Sequence, residues 1–371
     1  MSKTTDIVLR DNHLLSSLET LVASLESVNS KKYWMIRTDD GANYDIFSEN
    51  NFVALNLREF PTAFISEASR NYPHPHERLV YLKQSLRQLY EQRSDLFSFK
   101  NDSSYFQSNM TRLANQIDRV VFQIHQGDII LIPSRGASLI KIGKVVDDHL
   151  ITEPTLNRGF AFARKIQWLK TISKKKLDPS LYRALGAHQA VSDITPYAEF
   201  IERNYNSYFV VNDISHYVLT LNSPKIGALA FTESIYSSLE TLRTFSETYQ
   251  LGIDVENINL SISLNSPGKI DFQSTARNAV MIMAVVSALC GGTLRYGELE
   301  ISNNGVFQQI VSAVNSYLDS SEERRQKKEI FNQQMRSLEA QSVESWNSTI
   351  DNELEMIQEE DGDDTLLLPE D

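Results

Sequence analysis

The run 127–146, GDIILIPSRGASLIKIGKVV, constrains the fold more than any other stretch of the chain. Ile129 to Ile132 is an unbroken apolar run too short for an ordinary helix. Pro133 ends it, because proline has no N–H to continue a strand ladder. Gly136 allows the chain to reverse, and a second apolar run follows from Leu139. Two such runs joined by PSRGAS form a β-hairpin, so the chain must build a sheet around them. Ser134 and Arg135 are left at the tip, where side chains can meet a ligand.

The surrounding residues supply further short strands. Tyr33 to Arg37 reads as a strand, TDDGAN (38–43) as a turn, YDIFSENN (44–51) as a short helix and FVALNL (52–57) as a second strand. Residues 77–97 and 109–126 are helical by pattern, with Leu113, Ile117, Val120, Val121 and Ile124 on one face of the latter. GFAFARKIQWLKTI (159–172) alternates Phe160 and Phe162, then Ile166 and Trp168, as a strand does. The expectation is an α+β chain opening on a mixed β-barrel with helical insertions over 31–175. It is preceded by an amphipathic helix within 1–30, carrying Leu14, Leu18, Leu21, Val22 and Leu25, and followed by a helical connector over 176–206. That first helix is expected to pack within its own chain, with a partner surface as the alternative.

From 207 the composition changes, and a second α+β domain is expected to 318. SYFVVNDISHYVLTLNSP is strand-like, TESIYSSLETLRTFSETYQ helical, and INLSISLNSPGKIDF again alternating. Asn-Ser-Pro recurs at 222–224 and 265–267, as a strand terminator rather than a repeat. The apolar run in ARNAVMIMAVVSALCGG (276–292) is shorter than the ~20 residues a bilayer span needs and reads as a buried helix; membrane contact or self-association through Ala276–Gly292 is the alternative. GGTLRYGELEIS follows as a hairpin. A polar helix is expected over 319–350 and a disordered acidic tail over 351–371.

That tail holds ten of the 48 acidic residues and no Lys or Arg, leaving 38 acids against 36 bases elsewhere. The net charge of -12 therefore does not argue against an anionic ligand. Cys290 is the single cysteine, which excludes an internal disulfide and a Cys-cluster zinc site. With no secretory signal at the start, a cytoplasmic location is expected.

No nucleotide-phosphate loop, GxGxxG or GxSxG motif occurs. His74 and His76 lack a third ligand, so no metal is expected, and Glu298 and Glu300 lack the following Lys of a nuclease core. The expectation is a protein without catalysis and without a cofactor; a self-assembling effector acting through 207–318 and a divergent nuclease are the alternatives. The positive signal is aromatic and basic content in the first half. Trp34, Tyr44 and Trp168 are interleaved with Arg37, Arg135, Lys141, Lys144 and Lys174–Lys176. Stacking holds a base, and cations hold phosphates.

Three pieces in order carry a family resemblance: YWMIRTDDGANYDIFSENNFVALNL, GDIILIPSRGASLIKIGKVV and RKIQWLKTISKKKLDPSLYRALGAHQAVSDI. Over about 31–195 they resemble the PUA/EVE-like N-terminal module of Mrr-type restriction endonucleases and related prokaryotic defence proteins. The resemblance implies a PUA-like barrel, of a superfamily whose members often bind modified bases or RNA; the partner expected here is nucleic acid, DNA ahead of RNA. The site residues expected are Trp34, Arg37, Tyr44, Ser134, Arg135, Gly136, Lys144 and Trp168. The nuclease domain that follows in that family is not found here. The remaining half is expected to self-associate or to recruit a partner protein, in a sensor of an anti-phage or restriction system.

Overall fold

A computed structural model describes residues 13–23, 31–55, 63–101, 105–151, 160–186, 189–223, 225–263, 268–291, 294, 305–343 and 345. The end of FVALNL, the second Asn-Ser-Pro, most of the GGTLRYGELEIS stretch with Glu298 and Glu300, and the acidic tail lie outside them. The chain divides into two compact units, one formed by 31–198 and the other by 1–30 together with 199–371.

The 31–198 unit is built on a six-stranded mixed sheet of order β2-β5-β4-β3-β1-β6. Its strands are β1 (Tyr33–Ile36), β2 (Phe52–Leu55), β3 (Ile129–Pro133), β4 (Leu139–Ile151), β5 (Ala161–Ser173) and β6 (Val191–Asp193). β1 and β3 run parallel, with Trp34 opposite Ile130, and the other pairs are antiparallel. Every residue of β1 and β3 is buried, which explains why both read as uninterrupted apolar runs. β4 and β5 are thirteen residues each, and their ladder is irregular between Ile142 and Gly143 and between Val145 and Leu150. Such irregularities add twist, and the sheet curls into a half-barrel whose edges are β2 and β6 among the described residues. The expected barrel is thus present as a curled open sheet.

The connector expected over 176–206 is different in structure. Its residues Val191–Asp193 form β6, which extends the sheet at β1, so the first unit reaches 198. A three-residue strand has too little period-2 pattern to announce itself.

With the helix over 13–23 as α1, helices α2 (Tyr44–Asn50), α3 (Ala63–Asn71), α4 (Pro75–Gln92) and α5 (Phe106–Asp118) accompany the sheet, and the short α6 (Leu181–Leu185) and α7 (Ala198–Glu202) follow in the chain. Leu82 and Leu86 of α4 and Met110, Leu113, Ala114 and Ile117 of α5 share one apolar cluster with Trp34, Ile36, Ile130, Ile132 and Ile166. Inside this layer Arg78 pairs with Asp118 at 2.6 Å, and Gln123 donates to the second oxygen of Asp118. α5 continues as a wide i→i+5 turn over Arg119–Gln123. Its end carbonyls are held by Arg164 of β5, whose Nε donates to Val120 O at 2.9 Å and Nη2 to Val121 O at 2.6 Å. Burial pulls the Arg164 pKa down, with Asp148, Asp147 and Asp128 acting in the opposite sense.

The second unit has its own sheet, of order β11-β8-β10-β9, from β8 (Ile214–Leu221), β9 (Asn259–Ser263), β10 (Gly268–Ser274) and β11 (Ala340–Ser342). A further strand, β7 (Tyr208–Val211), pairs with the first half of β8 while β11 pairs with its second half. Alternation divides the faces. Tyr217, Leu219, Leu221, Ile270 and Phe272 join the core with α8 (Ala228–Tyr249) and α9 (Ala276–Leu289). Every residue of α9 except Arg277 is buried, so the apolar run is a core helix, as its all-round apolarity implies. No helix among the described residues is long and apolar enough to cross a membrane. The helix over 13–23 lays Leu14, Leu18 and Leu21 into this same core, far from it in sequence. The polar helix Glu322–Ser337 does not simply project into solvent: Phe331 and Met335 are buried in that core too, two anchors on an otherwise charged helix.

Candidate functional site

Two turns meet in the 31–198 unit. After β1, Asp39 (φ 55°), Asp40 (φ 52°) and Gly41 (φ 91°) form a run of left-handed backbone. Asp tolerates that region through its short polar side chain, and Gly has no Cβ to obstruct it. The turn lies directly against the tip of the β3–β4 hairpin: a Cβ on Gly41 would stand 2.4 Å from Arg135 N and 2.5 Å from its Cα. Thr38 Oγ1, fully buried, donates to Pro133 O at 2.5 Å and ties the two turns together. The tip holds its own shape. Ser134 N donates to Leu139 O, Leu139 N donates back to Ser134 Oγ at 2.8 Å, and Ser134 Oγ meets Ser138 Oγ at 3.0 Å.

This junction walls a hollow of about 320 Å³. Ser134, Gly136 and Ala137 face Arg37, Asp40, Lys174, Tyr182 and Gly186 across it. Tyr182 OH donates to Lys174 O at 3.0 Å, and Lys174 Nζ lies 5.6 Å from the Tyr182 ring. Arg37 is anchored through Nη2 to Leu185 O at 2.8 Å.

Arg37 and Asp40 also line a larger neighbouring hollow, of about 710 Å³. Its walls include Asp39 and Asn43 from the first turn, half-buried Phe97 and Phe99, and Asn109, Arg112 and Gln116 of α5. Arg112 and Gln116 in turn line a third hollow of about 460 Å³, with Ser108, Thr111, Asn115, Arg119 and Gln189. Arg119 is fixed there by Nη1 donating to Val191 O at 2.6 Å and to Gln189 Oε1. Neighbouring hollows share wall residues, Arg112 and Gln116 in one case and Arg37 and Asp40 in the other, so the three adjoin in a row that makes up the groove. Its cations run in the order Arg119, Arg112, Arg37, Lys174.

Of the expected site residues, Arg37, Ser134 and Gly136 line this groove. Arg135 is exposed at the tip, with its backbone against Gly41. Trp34 is not a site residue in geometry. It is fully buried and its Nε1 donates to Asp128 Oδ2 at 2.9 Å; the other oxygen of Asp128 accepts from Lys32 N. The Asp of the GD motif is thus the polar partner that lets a tryptophan enter the core.

Tyr44 and Trp168 belong to a separate group along β4 and β5. Burial raises the Tyr44 phenol above its ordinary pKa, against hydrogen bonds to Thr171 and Ser48 that lower it. Lys141, across from Thr171 in the ladder, holds its Nζ 5.5 Å from the Trp168 ring. Burial lowers the Lys141 pKa, opposed by Asp45 and Glu49. Trp168 itself covers Gly143: a Cβ there would stand 2.3 Å from Ile166 Cγ2 and 2.6 Å from Trp168 Cε3. Lys144 is exposed and pairs with Ile129, four residues along β3 from Pro133, so roughly 13 Å from the tip.

In the sequence TDDGAN reads as a turn and 109–126 as an amphipathic helix, but neither carries a motif that marks it as part of a site. A signal existed in Gln107, Thr111, Arg112, Asn115, Gln116 and Arg119, a polar face rich in amides and arginine opposite the apolar stripe of α5.

Among the described residues the second unit holds a dense ionisable cluster, Glu199, His216 and Asp271, whose donor atoms lie within 4.8 Å of one another. A cation of the protein already sits among them. Arg203 donates through Nε to Asp271 Oδ2 at 2.9 Å and through Nη2 to Glu199. His216 Nδ1 and Gln273 Nε2 each donate to the same Asp271 oxygen at 3.0 Å, and Phe209 stacks on His216 at 4.5 Å. The guanidinium bridges the two carboxylates and occupies the space between them, so the group reads as a structural ion network rather than a metal site. No family model, no curated protein and no solved structure matches the chain.

Proposed function

We propose that the 31–198 unit binds nucleic acid through the groove between the two turns and α5. The observation that carries the reading is the succession of Arg119, Arg112, Arg37 and Lys174 along three adjoining hollows that are also lined by aromatic rings and side-chain amides. Arg112 is exposed and has no hydrogen bond or ion pair among the described residues, so its charge is available to a phosphate. The sequence resemblance to PUA/EVE-like modules supports the same reading. On it, the chain is the recognition subunit of a prokaryotic defence or restriction system and does no catalysis itself. The 199–371 unit then serves self-association or contact with an effector protein.

The test is fluorescence anisotropy with labelled oligonucleotides across a salt series. The Arg112→Ala/Lys174→Ala double variant should bind more weakly, and the slope of log K against log salt should flatten by about 1.4–1.8, at roughly 0.7–0.9 per phosphate contact. Absence of binding to every nucleic acid at about 50 mM salt refutes the proposal.

A further inference from the structure

The charge along the groove is not uniform. Cations stand at its two ends, Arg119 at one and Lys174 at the other, and at the two junctions between hollows, Arg112 and Arg37. Between Arg112 and Arg37 the central hollow adds the exposed carboxylates of Asp39 and of Asp40, the latter shared with the Lys174 hollow. A phosphate is disfavoured beside two carboxylates. What suits them is a neutral group that donates hydrogen bonds. The half-buried rings of Phe97 and Phe99 wall the same hollow, and Asn43, Asn109 and Gln116 add amides. An aromatic wall, hydrogen-bonding amides and a volume of about 710 Å³ suit a planar heterocycle. Arg112 and Arg119 are seven residues apart, roughly 10 Å along α5, about three nucleotide rises of a stacked strand.

From this pattern we infer that the groove takes a single strand, with an unpaired base in the central hollow and phosphates at the flanking cations, and that it prefers bases carrying an exocyclic amino group. The inference rests on the nucleic-acid reading above. A duplex offers its phosphates but hides its base faces, so it cannot use the Phe97–Phe99 wall. Adenine and cytosine present an N–H₂ group with no carbonyl on its other side that Asp39 and Asp40 accept, whereas the single N3–H of thymine and uracil is flanked by two carbonyl oxygens that the carboxylates repel. Both aspartates lie in left-handed backbone, which asparagine also adopts, so Asn preserves the turn while replacing a pure acceptor by a group that is both donor and acceptor.

The experiment measures full-length protein against labelled oligo(dA), oligo(dC) and oligo(dT) of about twelve nucleotides, the corresponding ribo-oligonucleotides, and a duplex of equal length. Oligo(dA) and oligo(dC) should bind about 10-fold tighter than oligo(dT), with the same order in the ribo series and the duplex weakest. In Asp39→Asn/Asp40→Asn that preference should collapse toward unity without loss of oligo(dT) binding. Phe97→Leu/Phe99→Leu should weaken every single strand and leave any residual duplex binding unchanged. Equal affinity for all three deoxy-oligonucleotides, or a duplex bound as tightly as a single strand, overturns the inference but not nucleic-acid binding. Failure to bind any oligonucleotide at low salt overturns the underlying reading itself.

Discussion

Replacing Gly41 by alanine tests the junction on which the groove depends. Two costs combine at this position. The backbone sits at φ 91°, outside the region an L side chain adopts readily, for about 1–2 kcal/mol. The added Cβ would also stand 2.4–2.7 Å from Arg135 N, Cα and Cβ. The first two are parts of the backbone, so no rotamer change relieves the contact and one turn must move, for a further 1–3 kcal/mol or so. Gly136 supplies the control. It too has positive φ, at 61°, but a Cβ there meets nothing within 4 Å. Gly136→Ala should therefore carry only the conformational cost, about 1 kcal/mol.

The assay is thermal and denaturant unfolding of both variants beside the parent, with the transition of the 31–198 unit followed. Gly41→Ala should lose about 2–5 kcal/mol, which for a domain of this size lowers its Tm by roughly 5–15 °C; Gly136→Ala should lose a few degrees. The groove responds in parallel, since Asp40 and Ser134 sit on opposite sides of the displaced contact. Equal destabilisation by the two alanines would refute the close approach of the turns, and with it the shape assigned to the site.

Three further outcomes follow from the packing. Gly143→Ala drives a methyl into Ile166 and Trp168, so it should cost about 1–3 kcal/mol and shift the tryptophan emission; an unchanged spectrum and stability would show that the indole does not lie over the glycine. Arg164→Met leaves the carbonyls of Val120 and Val121 without their buried donor and should destabilise by about 2–4 kcal/mol, with faster amide exchange across 119–124 as the local readout. Cys290 is buried and its thiol is pushed up to about 12, so it should resist thiol reagents until the unit unfolds. Above the ordinary thiol pKa of 9.0 the unfolded chain gives up a proton that the folded one keeps. Native stability should accordingly fall by about 1.4 kcal/mol per pH unit from pH 9 toward 12, and Cys290→Ala should remove that slope.

Elements whose hydrophobic pattern closes within a few residues were legible in advance. The hairpin of β3 and β4, the alternating β5 and the all-apolar α9 each carry their burial in their own spacing. β6 was not, because three residues hold too little pattern and its strand state comes from pairing with β1. The burial of Phe331 and Met335 was hidden by the charge of the helix that carries them. Trp34 shows the same limit from the other side. An aromatic residue beside lysines and arginines has one composition in a binding site and in a core, and only the bond to Asp128 separates them.

The sequence by itself determined most of the strands and helices, though not β6 or the β11 that stands within the expected 319–350 helix, that a turn carrying Ser134, Arg135 and Gly136 interrupts an apolar hairpin, and that the first half is rich in cations and aromatic residues. Local sterics and period alone fix such features. Only the tertiary structure decided that the Thr38–Gly41 turn abuts that hairpin tip. It alone aligned Arg119, Arg112, Arg37 and Lys174 on one groove, and placed the helix over 13–23 in a core whose other members begin some two hundred residues later. These are contacts between segments far apart in the chain. They depend on sheet order and on where a missing Cβ lets two backbones approach, and no local pattern encodes either.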